Sequence, residues 1–203
     1  MRIRFLAAVL TAALAAIYVA PAAAQPSNRS EPSAKPPQVG RGDRTRNLDF
    51  LFGALKLAPD DVTAKAIEER IWAVWTVSHS DTANLLMTRV KTAIEAKDLE
   101  LAVTLLDAIV KVKPDYVEAW NRRATIFYMK KDYGRALADI RQVLKREPRH
   151  FGALAGLGLI MQDIGDDKQA LEVYRRVLTL YPRMERIPDL VKTLQEKIEG
   201  RDI

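Results

Sequence analysis

The sequence predicts an all-α protein, an α-solenoid of antiparallel helix pairs. Three observations predict it, and they share one period. Asp98, Asp132 and Asp166 stand 34 residues apart, as do Ala102, Ala136 and Ala170, and Pro114, Pro148 and Pro182. These residues do different physical work: an aspartate caps a helix start, an alanine lets two helices approach closely, and a proline stops a helix. A common period for all three marks a stack of like units, none of which buries its apolar face alone.

The chain opens with Arg2 and Arg4, an apolar run over residues 5–20, Pro21, and then Ala22, Ala23 and Ala24. A basic start, an apolar centre and small residues at the end predict a signal peptide, 1–24, cut after Ala24. An uncleaved anchor is the alternative, but the 16-residue run falls short of the ~20 that a spanning helix needs. Export is therefore expected, to the periplasm if the host is Gram-negative, with no membrane insertion after cleavage.

Residues 25–46 hold Pro26, Pro32, Pro36 and Pro37 with few apolar side chains. Such a segment cannot offset its chain entropy by burial, so a disordered linker is expected there. It also carries much of the charge. Of the net +6, the signal contributes +2 and the linker +3, leaving +1 for 47–203. The basic pI therefore does not describe the folded part, and nucleic acid is not an expected partner. There is no cysteine, so core packing alone must hold the fold.

Residues 47–82 predict a divergent helical hairpin that caps the N-terminal side. Its first helix ends at Pro59, and its second runs from Asp61 to about Ser78 and carries Ile67, Ile71, Trp72, Val74 and Trp75. Three helix pairs follow, at 83–116, 117–150 and 151–184. In the middle one, Trp120, Ala124 and Phe127 form one apolar face, Asp132 caps a second helix, Ala136, Ile140 and Val143 line that helix, and Pro148 ends it. Shifted by one period, Leu154, Leu157, Gly158, Met161, Ala170, Tyr174 and Val177 repeat the pattern, as do Leu86, Val90, Ala93, Ala102, Leu106 and Ile109. A last segment, 185–203, reads as a capping helix opened by Pro188 and ended by Gly200, with a polar outer face.

These residues resemble the tetratricopeptide repeat family, whose helix-turn-helix unit follows the pattern W-x2-L-G-x2-Y…A-x3-F…P. The unit 117–150 matches through Trp120, Ala124, Phe127, Tyr133, Ala136, Ile140 and Pro148, and 151–184 through Leu154, Leu157, Gly158, Ala170, Tyr174 and Pro182. The unit 83–116 departs in its first helix, where Arg89 and Val90 replace Leu-Gly. The resemblance implies a concave groove lined by the first helix of each unit. The groove positions fall on Asn84, Met87, Lys91, Ile94 and Glu95, then on Glu118, Asn121, Thr125, Tyr128 and Met129, and then on Gly152, Ala155, Leu159, Gln162 and Asp163. The Lys/Asn set with which some members grip a C-terminal carboxylate is not reproduced. An apolar track with polar edges suits an amphipathic helix or an extended peptide.

No catalytic constellation is expected. Ser78, His79, Ser80 and Asp81 are consecutive, whereas a triad converges from separate positions; Ser80 or Asp81 reads as a helix cap. Two histidines and no thiol make no zinc set, Asp163, Asp166 and Asp167 lack calcium-loop order, and no phosphate loop appears. Gly152, Gly156 and Gly158 read as helix-packing positions. No cofactor is predicted, and Trp72, Trp75 and Trp120 are assigned to the core. The unit 117–150 carries +5, read as a solvated face that its neighbours partly neutralise. The expected function is a non-enzymatic interaction module that takes a protein or peptide partner. The alternatives are an adaptor that docks through its convex face or caps, and an enzyme acting on cell-wall material, for which no site is visible.

Overall fold

The computed structural model describes residues 41–200, with side chains from Asn47 onward. The predicted signal peptide and residues 25–40 of the predicted linker lie outside them. Every regular element among the described residues is a helix: α1 (Arg41–Lys56), α2 (Asp61–Thr76), α3 (Asp81–Glu95), α4 (Leu99–Val112), α5 (Val117–Met129), α6 (Tyr133–Arg146), α7 (Phe151–Asp163), α8 (Asp167–Leu180) and α9 (Ile187–Glu199). Helix α1 takes in residues 41–46, which corrects the linker's predicted end. The last proline before it is Pro37, and a helix nucleated by buried Leu48, Leu51, Phe52 and Leu55 extends backwards at small cost.

The period is visible atom by atom. Asp98, Asp132 and Asp166 accept the amide hydrogens of Leu101, Arg135 and Gln169 at 3.0, 3.1 and 3.0 Å, which satisfies one otherwise free donor at the start of α4, α6 and α8. Ala102, Ala136 and Ala170 are fully buried. The turn before each aspartate passes through the left-handed region at Lys97 (φ 60°), Lys131 (57°) and Gly165 (85°). There the aspartate amide reaches back to the carbonyl of Ala93, Phe127 or Met161 at 2.8–2.9 Å, the six-to-one closure of a Schellman turn. Small residues set the helix spacing. A Cβ placed on Gly158 would lie 2.3 Å from the Tyr174 ring, so only glycine lets α7 and α8 meet there.

The hairpin α1–α2 forms where expected but does not cap the stack. Its helices pack on α5, α7 and α8, while α3 packs on α4 and its outer side stays open. The register shows why the open end tolerates water. Ala119, Ile126, Ala153 and Ile160 are buried against the preceding unit, whereas their equivalents in α3, Leu85 and Thr92, are exposed. Thr92 and the neighbouring exposed Arg89 make this end face largely polar, which a terminal unit requires.

Instead α2 runs back across the junctions between units. The Tyr116 hydroxyl, at the first junction, donates to the Thr76 carbonyl at 2.8 Å. At the second, Trp72 and Trp75 meet His150 and Phe151. At the third, the Tyr181 hydroxyl donates to Glu68 at 3.1 Å, and Arg183 holds the carbonyls of Ala58 and Pro59 and the Asp61 carboxylate. Phe52, Phe151 and Tyr181 join the two tryptophans in one aromatic cluster. Trp120 departs from the prediction. It is half-buried, with its indole N–H on the Pro114 carbonyl at 2.9 Å and the Arg123 and Arg146 guanidiniums over its ring, because a neighbouring arginine covers a ring face as an apolar residue would.

Candidate functional site

The candidate groove residues lie on α3, α5 and α7, the first helices of the three pairs, and divide into a covered and an open set. The covered set is at the helix starts. Gly152 faces Trp72, whose ring would stand 2.9 Å from an added Cβ, so the absent side chain is what admits α2. Glu118 is buried, accepts from the Asn121 amide at 3.0 Å and pairs with Arg122 at 2.8 Å. Burial raises its carboxyl above the usual range, against the pull of Arg122. His150 lies fully buried beside it. Its Nδ1 accepts the Ala153 amide at 3.1 Å, so its proton sits on Nε2, 3.9 Å from the Glu118 carboxylate. Burial pushes the imidazole down to about 3.

The open set lies further along α5 and α7 and over the whole length of α3. Asn84 is exposed and accepts from the Ser78 hydroxyl at 2.6 Å, Lys91 faces Glu95 at 3.8 Å, and Met87 and Ile94 are half-buried. On α5, Thr125 is exposed and bonded to the Asn121 carbonyl, Tyr128 is half-buried, and Met129 is 58% exposed. On α7, Ala155 is half-buried, Leu159 is 38% exposed, Gln162 accepts from the Tyr174 hydroxyl at 2.7 Å, and Asp163 accepts from Tyr133 at 2.9 Å.

The other predicted clusters resolve simply. Ser80 caps α3 through the Ala83 amide, and Ser78 is buried in hydrogen bonds to Asn84 and the Ser80 backbone. Gly152, Gly156 and Gly158 lie inside α7. Trp72 and Trp75 are committed to the aromatic cluster, which removes them as an external docking platform. Most of the basic excess of 117–150 is paired: Arg122 with Glu118, Arg123 with Asp107 and Asp139, Lys130 with Glu100, Arg135 with Asp132, and Arg149 with Asp49 and Glu147. Among the described residues, no group of acidic or histidine side chains has metal-site geometry, and no helix is long and apolar enough to cross a membrane.

Sequence reasoning missed one wall of the site. The polar outer face of α9 predicts only a cap, yet a cavity of about 410 Å³ lies between it and α7, lined by Ala155, Leu159, Asp189, Leu190 and Thr193. The signal was available. One further shift of 34 from Gly152, Ala155 and Leu159 lands on Arg186, Asp189 and Thr193, so α9 continues the concave face in the register of a fourth first helix.

The tetratricopeptide repeat family profile matches residues 87–142 and 130–185. A TPR repeat-containing protein of Rhizobium etli is 41% identical over 155 residues, 76% of this chain and 76% of that protein. Among solved structures, the first TPR of Spaghetti, bound to an HSP90 peptide, aligns with 59% of this chain and 95% of its own at 16% identity and a TM-score of 0.56. MamA aligns with 81% of this chain and 88% of its own at 18% identity and a TM-score of 0.55. At these identities the structural likenesses show the fold. With the periodic caps, the buried alanines and the close relative in hand, the chain belongs to the tetratricopeptide repeat family.

Proposed function

We propose that this protein is a non-enzymatic interaction module of the cell envelope that binds a polypeptide segment along the concave face of its repeats. One observation carries the reading. Met129 and Leu159 are exposed at positions of α5 and α7 that the family resemblance assigns to the inner side, whereas Ala119, Ile126, Ala153 and Ile160 on the same helices are buried. Apolar side chains held in a concavity with polar edges are what a peptide site requires. The peptide-bound Spaghetti domain supports it as a precedent in another protein. Export rests on the predicted signal peptide.

Photo-crosslinking in cells tests the reading. A crosslinking amino acid at Met129 or Leu159 is expected to trap a polypeptide, and one at exposed Arg175 on α8 is not. Crosslinks confined to Arg175 overturn it. Sequencing the mature amino terminus checks export; Gln25 is the expected first residue.

A second reading, an adaptor that docks through the hairpin, is favoured by Phe50, Leu57 and Val62, which are 73%, 83% and 82% exposed. Crosslinks from these positions, and none from Met129 or Leu159, would select it.

A further inference from the structure

We propose that the partner segment is basic and amphipathic, and that its seat is the channel between α2 and α9 rather than the whole length of the concave face. This rests on the reading of the concave face as a peptide site and narrows it. Helix α2 already covers the starts of α5 and α7, so the open surface is displaced towards the C-terminal end. Two hollows lie there. One, about 700 Å³, has Val62, Ala66 and Glu69 of α2 in its lining; the other is the cavity of about 410 Å³ between α7 and α9. Glu185 lines both, so the two hollows adjoin at that residue and together make up the proposed channel.

The channel is apolar along its length and acidic at its edges. Val62, Ala66, Ala155, Leu159 and Leu190 supply the apolar surface. The cations nearby are largely spoken for. Arg183 is bonded to Asp61 and to two carbonyls, and Lys65 is paired with Glu68 at 2.9 Å. Among the described residues no cation stands within ion-pair distance of Glu69, Glu185 or Asp189, and Lys65, held by Glu68, is shared electrostatically with Glu69 and Glu185. Arg186 is the one cation of the lining left without such a pair among them. The rim therefore attracts positive charge while the floor takes apolar side chains, and a segment with both matches it.

The test uses the full mature chain and three fluorescein-labelled peptides of equal length, read by fluorescence anisotropy. One is a leucine–lysine amphipathic helix, one has glutamate in place of every lysine, and one scrambles the leucines and lysines to remove the apolar face. The first is expected to bind at least tenfold more tightly than the others and to weaken as salt rises. Glu69→Lys with Glu185→Lys is expected to weaken it at least tenfold, and Leu159→Ala several-fold, with the helical circular dichroism of the chain unchanged. Equal binding of the scrambled peptide, or no binding of the first, overturns the proposal. Preference for the glutamate peptide, with Leu159→Ala still weakening it, overturns the charge assignment and leaves the concave-face reading standing. Crosslinking at Met129 and Leu159 that traps nothing overturns both.

Discussion

The indole of Trp75 and the imidazole of His150 lie stacked, with ring centroids 4.0 Å apart and planes 13° from parallel. One belongs to α2, the other caps α7, and their contact joins the hairpin to the repeats across 75 positions of sequence. Trp75→Ala is expected to cost roughly 3–5 kcal/mol, the usual range for deleting a buried aromatic. The loss should be local first. Limited proteolysis at residues 77–80 should precede cleavage within α5–α8, and uniform cleavage would refute the hairpin as a separately anchored element.

The same pair makes stability depend on pH. The folded imidazole titrates near 3, below its ordinary 6.5, so the unfolded chain binds the proton first as pH falls. Stability is full above about pH 6.5 and is lost towards pH 3, with a slope of up to about 1.4 kcal/mol per pH unit. Glu118, whose carboxyl is raised by burial, acts in the opposite sense above its ordinary range and offsets part of the slope. His150→Asn keeps an acceptor for the Ala153 amide and removes the titration. Urea midpoints at about pH 7 and about pH 5 should differ less in this variant than in the parent, even though it starts less stable.

Two glycines on one helix should respond with opposite signs. A Cβ at Gly156 would make ordinary contact with Ile140 at 3.8 Å, whereas one at Gly158 would stand 2.3 Å from the Tyr174 ring. Gly156→Ala is expected to stabilise by up to about 1 kcal/mol through helix propensity. Gly158→Ala is expected to destabilise by roughly 1–3 kcal/mol through overpacking. Thermal melts of the two variants decide it.

Lys131 holds a left-handed turn conformation, φ 57°, which glycine adopts without Cβ strain. Lys131→Gly should raise stability by about 0.5–1 kcal/mol, while Gly165→Ala at the equivalent turn should lower it by a similar amount. Denaturant midpoints that move the other way would refute the strain.

The sequence by itself determined the period, the three pairs, their aspartate caps and proline stops, and the buried alanines. These are local devices or small-residue contacts that recur at fixed spacing, so each unit confirms the next. It also held the register that makes α9 a fourth inner helix, although the polar face of α9 suggested only a cap. Only the tertiary structure decided where the hairpin goes. Trp72, Trp75 and Phe52 announce burial but not against what, because a long-range aromatic contact has no period to reveal it. That choice closes the starts of α5 and α7, leaves α3 as the end of the stack, and sets which part of the concave face stays open.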